Sequence, residues 1–221
     1  MDTFQTTDGD RAFLRSQWER LTERLPAGRV ESDRIYTLVS AHYSAEGRFY
    51  HNLRHVASLL RLLADFEHGV GDYDAVRFAA WFHDVVYDTR RDDNEESSAE
   101  FAARALRELG APAETAGRVV EMILATKGHS AGGLSRDGLL FLDADLSILG
   151  APADTYARYG RAIREEYSWV PDSLYRRGRG DVLRGFLGRS RLYYTDEMFG
   201  RLEGRARVNM SLEVETLSSS V

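Results

Sequence analysis

The chain has 221 residues, of which 43% are hydrophobic and 29% charged, and its formal net charge at neutral pH is −6. This composition predicts a soluble globular protein with a full core and excludes the broad basic surface that nucleic-acid polymers require, while the absence of cysteine excludes disulfides and thiolate metal sites. No apolar run of about 18 residues and no basic start followed by an apolar stretch occurs, so neither a membrane span nor a secretory signal is predicted, and a cytoplasmic location is expected.

Helical periodicity dominates the chain, and strand signals are nearly absent because no hairpin turn joins two alternating apolar runs. Each of the four prolines lies near a break between helical patterns. The sequence therefore predicts an all-α fold of about ten helices. In chain order, the predicted helices cover residues 13–25, 30–43, 53–66, 74–86, 95–109, 115–126, 139–149, 155–167, 172–187 and 196–217.

The pair His83-Asp84 interrupts FAAWFHDVVY, the most apolar stretch of the sequence. Placing an imidazole and a carboxylate there costs on the order of several kcal/mol unless both are paired or bound to a cation. Two interpretations follow: a metal site, or a hydrogen-bonded core histidine beside an aspartate that caps a helix.

Two further polar pairs have similarly open interpretations. His51 and His55 lie four residues apart in YHNLRHV, which on a helix separates them by only about 40° around the axis. They are either two groups facing one site or two surface histidines. Asp143 and Asp145 interrupt the apolar segment LLFLDADLSILG, and on a helix they diverge by about 200°, so only one of them can face a given ion. The alternative for this pair is a helix N-cap with a first-turn charge.

Taken together, the three pairs predict one mixed nitrogen and oxygen site on separate helices. Imidazoles and carboxylates suit a divalent Mn, Fe, Co, Ni, Zn or Mg ion. Such an ion makes water a better nucleophile and offsets the charge of a phosphoryl group.

The order His55, His83-Asp84, Asp145 resembles the HD superfamily of metal-dependent phosphohydrolases, which implies that the metal ligands are His55, His83, Asp84 and Asp145. YHNLRHV is also similar to the His-Asn-x-x-His signature of cyclic-nucleotide phosphodiesterases, which implies that His55 is a metal ligand and His51 an acid for the leaving oxygen. The segment DLS resembles the one that supplies the last ligand, which favours Asp145 and leaves Asp143 a capping or supporting role.

A longer resemblance spans almost the whole chain and is to a bacterial group described as predicted metal-dependent HD phosphohydrolases. It implies a single compact HD-type helical domain over residues 1–221, with the metal site at about 50–150 and helices within 154–217 packed on it. The segments that carry the resemblance are FYHNLRHV, WFHDVVYD, NEESSAE, ATKGH, FLDADLSILG, IREEY and ARVNMSLE.

The resemblance implies hydrolysis of a phosphate ester of a nucleotide or another small phosphorylated metabolite, with the metal activating water and Asp84 orienting it. One departure matters: Tyr87 stands where the phosphodiesterases have a second histidine after the His-Asp pair. The expected substitutes, as ligands or as a base that orients water, are Asp88, Glu95 and His129. The expected substrate-binding residues are His129 and three candidate phosphate anchors, Arg54, Lys127 and Arg164.

Two other functions remain as alternatives. An HD-fold di-iron oxygenase would need about six protein ligands, and His129 is the only histidine downstream of the His-Asp pair. A non-catalytic metal or nucleotide sensor would have the ligands without turnover. The last predicted helix, rich in arginine, is either an exposed charged face or a contact of a homodimer.

Overall fold

The computed structural model describes residues 4–219, so the first three and last two residues of the predicted domain lie outside the described range. Helices make up 71% of the described residues, which contain no strand, and this confirms the predicted all-α class. Two short 3₁₀ segments, Glu67–Gly69 and Leu146–Gly150, accompany the α-helices. The ten α-helices are α1 Asp8–Thr22, α2 Gly28–Tyr43, α3 Leu53–Ala64, α4 Tyr73–Phe82, α5 Asn94–Leu109, α6 Ala113–Thr126, α7 Arg136–Asp145, α8 Ala153–Glu166, α9 Asp172–Leu187 and α10 Asp196–Ser218.

Helix α4 is the centre of the fold and contacts α3, α5, α6 and α7. Its residues from Ala75 to Phe82 are almost all buried, as expected for a helix with apolar side chains on every face. Trp18 of α1 packs edge-on against Trp81 at 5.2 Å between ring centroids. Aromatic pairs in this arrangement gain energy beyond the area they bury, so α1 is held firmly on α4.

Most helices begin or end a few residues from their predicted bounds, and three helix ends bear on the polar pairs. The side chain of Asn52 accepts a hydrogen bond from the Arg54 amide and caps α3, so His51 precedes the helix rather than lying in its first turn. Helix α4 ends at Phe82 instead of residue 86, and α7 ends at Asp145, where the 3₁₀ segment begins. The predicted ligands therefore lie at or next to helix ends, where the chain can change direction.

The C-terminal helices pack on the rest through the segment Leu146–Gly150, which α10 crosses closely. A Cβ atom added at Gly150 would lie 2.7 Å from Leu202 Cβ and 2.9 Å from its carbonyl oxygen, so only glycine allows this approach. Within the described residues, no helix is long and apolar enough to cross a membrane.

Candidate metal centre

Three side chains from three helices converge at the junction of α3, α4 and α7. His55 Nε2 lies 3.0 Å from His83 Nε2 and 3.2 Å from Asp145 Oδ1, and His83 Nε2 lies 3.5 Å from the same oxygen. The two imidazoles are almost fully buried, and the Asp145 side chain is 13% exposed. Among the described residues, these three form the group whose ligating atoms all lie within 4.8 Å of one another.

The separations fit the ligands of one ion. Nitrogen and oxygen ligands at about 2.1 Å from a transition metal stand roughly 3.0–3.4 Å from their neighbours. His83 Nδ1 lies 3.2 Å from the Ala80 carbonyl oxygen, and a hydrogen bond there leaves the Nε2 lone pair directed at the cluster. The group can therefore hold a metal ion, and its mixed donor set suits the divalent ions predicted from the sequence.

Asp84 borders this group without belonging to its tightest part. Its Oδ2 lies 3.0 Å from His83 Nε2 and 4.0 Å from His55 Nε2. His83 is the C-cap of α4, in helical conformation with its amide donating to the Ala79 carbonyl, and Asp84 follows directly after it, so both side chains lie at the end of this helix. Asp84 is therefore positioned either to complete the ligand set or to hydrogen-bond water beside it.

The electrostatics of the cluster show how strongly its charges interact. Burial acts against protonation of His83, but Asp84 and Asp145 raise its pKa well above the ordinary value. Burial acts to raise the pKa of Asp145, yet the His83 charge and hydrogen bonds from its histidine neighbours hold it well below the usual range. The carboxylates thus stay ionised and attract positive charge to this point, either as protons or as a cation.

Asp143 has a different role from Asp145, although only one residue separates them. Its carboxylate accepts hydrogen bonds from the amides of Tyr194 and Thr195, both at 2.7 Å, and from the Thr195 hydroxyl. This fully buried side chain fastens the segment before α10 to α7. The helix directs Asp143 away from the cluster, as the divergence of about 200° requires.

Beside the cluster, His51 is held by a glutamate that the sequence did not single out. His51 Nδ1 lies 2.7 Å from Glu166 Oε2, and the other Glu166 oxygen accepts hydrogen bonds from the amides of Tyr50 and His51. Tyr87 stacks on the His51 ring at 4.2 Å and donates its hydroxyl to Glu166 at 2.9 Å. Tyr87 therefore supports His51 through both its ring and its hydroxyl.

The charge of Glu166 acts directly on His51. Burial acts to lower the pKa of His51, but the neighbouring Glu166 carboxylate raises it above the ordinary value. Burial likewise acts to raise the pKa of Glu166, and His51 lowers it. IREEY was among the segments of the resemblance, but periodicity offered no way to choose Glu166 over its exposed neighbour Glu165.

Arg48 is a second residue that sequence reasoning missed. Its guanidinium donates to the carbonyl oxygens of His51 at 3.1 Å, Asp84 at 2.7 Å and Val85 at 3.0 Å. These bonds tie the segment before α3 to the segment after α4, so Arg48 sets the spacing between His51 and the His-Asp pair. An arginine in a loop carries no periodic signal that would identify this role.

His129 joins the open edge of the cluster. Its Nε2 lies 2.9 Å from Asp145 Oδ2, the oxygen that faces away from His55. Its backbone has φ 44°, a left-handed conformation rare outside glycine, and its carbonyl accepts hydrogen bonds from Arg189 and Tyr194. The surrounding structure therefore holds His129 in an uncommon conformation that presents its ring to Asp145.

Several predicted residues form no hydrogen bond or ion pair with the cluster in the described part of the chain. Lys127 pairs with Glu96 on the surface, and Glu95 lies in the first turn of α5 without a bond to the site. Arg164 donates to the carbonyl oxygens of Tyr167 and Val170, where it braces the α8–α9 junction. These predictions relied on residue type alone, which cannot show whether a local partner already occupies the side chain.

Two further predicted residues have other surroundings. Asp88 accepts a hydrogen bond from the Arg90 amide and, through its own amide and carbonyl, binds the Asn94 side chain, so it shapes the loop before α5. Arg54 lies next to His55 but directs its guanidinium over the Phe4 ring, at 5.6 Å from the centroid. Arg54 is thus the one predicted phosphate anchor that remains beside the metal centre.

No protein-family model, curated protein or solved structure matches this chain significantly. The interpretation of the site therefore depends on its own geometry and on the motif order in the sequence. Both concern the same residues, His55, His83 and Asp145, which lie far apart in the chain and adjacent in the fold.

Proposed function

We propose that this protein is a metal-dependent phosphohydrolase of the HD type that acts on a phosphate ester of a nucleotide or another small phosphorylated metabolite. The observation that carries the proposal is the convergence of His55, His83 and Asp145 on one point, with the His51–Glu166 pair beside it. The resemblance of the motif order to the HD superfamily supports the same reading.

His55, His83 and Asp145 would hold a divalent cation, with Asp84 beside them. When bound, this cation supplies a Lewis acid that favours ionisation of water and offsets the charge of a phosphoryl group. Asp84 Oδ2, 3.0 Å from His83 Nε2, is within reach to orient a water molecule and accept its proton.

His51 is the acid of this proposal. Its Nδ1 faces Glu166, which leaves Nε2 as the nitrogen that can transfer a proton to the leaving oxygen. Burial acts to lower the His51 pKa, but the Glu166 charge raises it above the ordinary value, so the protonated form persists to higher pH than in a free histidine. Proton transfer of this kind contributes typically ~10²–10⁴-fold to a rate.

The test is a screen of nucleotides, cyclic nucleotides and sugar phosphates with metal-depleted protein, to which Mn, Fe, Co, Ni, Zn or Mg is restored one at a time. We expect hydrolysis that requires a metal, that His83→Ala abolishes and that the exposed control His68→Ala retains. Hydrolysis unaffected by His83→Ala would overturn the site. Metal-dependent oxygen uptake without hydrolysis would favour the di-iron oxygenase instead, and tight metal binding with neither activity would favour the sensor.

A further inference from the structure

A cavity of about 310 Å³ adjoins the metal centre, and His55 belongs to both. Helix α3, the segment Leu146–Gly150 and the first turns of α8 form its walls. Its volume lies in the range of small-molecule sites, about 300–1,000 Å³. Because His55 is also in the ligand group, a molecule in this cavity would lie next to the metal centre.

The lining of this cavity is positively charged. Two guanidinium groups, Arg54 and Arg158, reach it, and the described lining residues include no carboxylate. Hydroxyl groups of Ser58, Ser147 and Thr155 add further hydrogen-bond donors. In a chain of net charge −6, the lining of this cavity is therefore a local region of positive charge.

A second cavity, of about 420 Å³, is lined in part by Glu166 and has the opposite balance of charge. Its four carboxylates outnumber its two guanidinium groups, Arg48 and Arg90. The carboxylates are Glu46, Asp88, Glu165 and Glu166. An anionic molecule would therefore be repelled from the second cavity and attracted to the first.

The arginines of the first cavity keep donors for a ligand. Arg158 pairs with Asp154 at 3.0 Å, but that carboxylate is 71% exposed, and pairs of this kind are weak. Arg54 donates to the Gln5 carbonyl at 3.3 Å and has no carboxylate partner among the described residues. Each planar guanidinium has five N–H donors, which match the oxygens of phosphate and carboxylate groups.

We propose that this cavity binds a second anionic group of the substrate, a phosphate or carboxylate that is not cleaved. The proposal rests on the function proposed above and narrows the substrate to small metabolites with an anionic group besides the scissile phosphate. The apolar side chains of Phe4, Leu59 and Ile148 would pack against the part of the molecule between its two charged groups.

The test titrates metal-depleted full-length protein with inorganic phosphate and, separately, with acetate, by calorimetry. We expect saturable binding of at least one anion, which identifies the preferred group. Arg158→Met, which removes a charged donor, and Thr155→Trp, which fills the cavity, should each weaken binding about tenfold or more. Arg161→Met, an exposed arginine of the same helix that does not line this cavity, should have no effect. Equal affinity in wild type, Arg158→Met and Thr155→Trp, or no saturable binding by wild type, would overturn the proposal.

Because the metal is absent, this measurement does not depend on hydrolysis. Binding weakened by Arg158→Met in a protein that hydrolyses no ester would sink the proposed function and leave the anion site standing. If hydrolysis occurs, Arg158→Met should raise KM for substrates with a second anionic group and leave kcat unchanged, while p-nitrophenyl phosphate should show neither change. An unchanged KM for such substrates would refute the anion site alone.

Discussion

In the C-terminal helices, Arg179 of α9 and Glu213 of α10 form a partly buried ion pair, with Arg179 Nε 2.8 Å from a Glu213 oxygen. The hydroxyl of Tyr156 donates to the same carboxylate. Between α3, α4 and α7, by contrast, two imidazole Nε2 atoms face each other at 3.0 Å. The Arg179–Glu213 pair matches a positive charge with a negative one. The His55–His83 contact instead brings two nitrogen atoms of the same kind together.

The difference separates a stabilising network from a binding site. Opposite charges with shared hydrogen bonds satisfy one another when buried, so the Arg179–Glu213 group is complete as it stands. Two facing nitrogen lone pairs beside carboxylates are stable only with a proton or a cation between them. This contrast supports the metal binding proposed for the group of His55, His83 and Asp145, and the variants below test it.

The largest effect should come from removing a ligand. We expect His83→Ala to abolish the metal that wild type retains after dialysis, measured by elemental analysis, because two remaining ligands in the tight group hold an ion poorly. Because His83 is buried and lies beside the carboxylates of Asp84 and Asp145, far-UV circular dichroism of the variant should check that the fold survives. His68→Ala, on an exposed 3₁₀ segment, is the control and should retain metal as wild type does.

Asp84→Ala tests whether Asp84 is a further metal ligand, because its carboxylate borders the group formed by His55, His83 and Asp145. Loss of metal would add Asp84 to the ligands, and retained metal with lost turnover would make it the residue that orients water. Equal metal content in wild type, His83→Ala and Asp84→Ala would contradict the proposed centre.

The next effect concerns the Arg179–Glu213 pair and is a loss of folding stability. Arg179→Met leaves the partly buried Glu213 without its cationic partner, so we expect the free energy of unfolding to fall by about 1–3 kcal/mol in urea titrations. The double variant Arg179→Met with Glu213→Leu should recover most of the loss. Arg184→Met, which breaks an exposed pair with Asp181 on the same helix, should change stability by less than about 0.5 kcal/mol. A loss of stability no larger than that of Arg184→Met would show that the Arg179–Glu213 pair does not stabilise the fold.

The third effect is catalytic. Because His51 is not in the tight ligand group, His51→Ala should keep the metal yet lower kcat by at least about a hundredfold. The defect should shrink for p-nitrophenyl phosphate, whose leaving group needs no proton. Loss of metal would move His51 into the ligand set, and equal defects for good and poor leaving groups would refute the acid role.

The smallest effect is a shift in pH dependence. Although burial lowers the His51 pKa, Glu166 raises it, and an acid must be protonated, so kcat should fall as pH rises through this raised pKa. Glu166→Gln removes the charge and should move that fall to lower pH. The exposed neighbour Glu165→Gln should leave the profile unchanged, and a profile that Glu166→Gln does not shift would contradict the pairing.

The His51–Glu166 pair also predicts how the stability of the fold depends on pH. The raised His51 pKa stabilises the fold below about 6.5 and loses this effect as pH rises through the folded value. The lowered Glu166 pKa, set by His51 against burial, stabilises above 4.5 and loses this effect as pH falls through the folded value. Glu166→Gln should therefore cost most stability between the two folded pKa values, measured by thermal unfolding across pH.

The helices and the histidine and aspartate residues of the candidate metal centre could be predicted from the sequence because both give strong local signals. Apolar periodicity identified ten helical segments, and buried polar residues in apolar stretches pointed to His83 and Asp145. The predicted start of α3 at residue 53 is confirmed, and the Asn52 cap leaves His51 before the helix, so the separation of about 40° that a shared helix would give does not apply to His51 and His55. A cap is a local interaction that competes with periodicity, and spacing alone does not reveal which one prevails.

The amino-acid sequence by itself determined the all-α class, the absence of thiolate ligands and the polar residues that interrupt buried helices, since each follows from composition or from neighbours in the chain. Only the tertiary structure decided that Glu166 reaches Tyr50 across 116 residues and that Arg48 joins His51 to Asp84. It also decided that Lys127 and Arg164 are engaged elsewhere. Such contacts depend on how helices pack, and packing is set by the whole core rather than by the residues that meet.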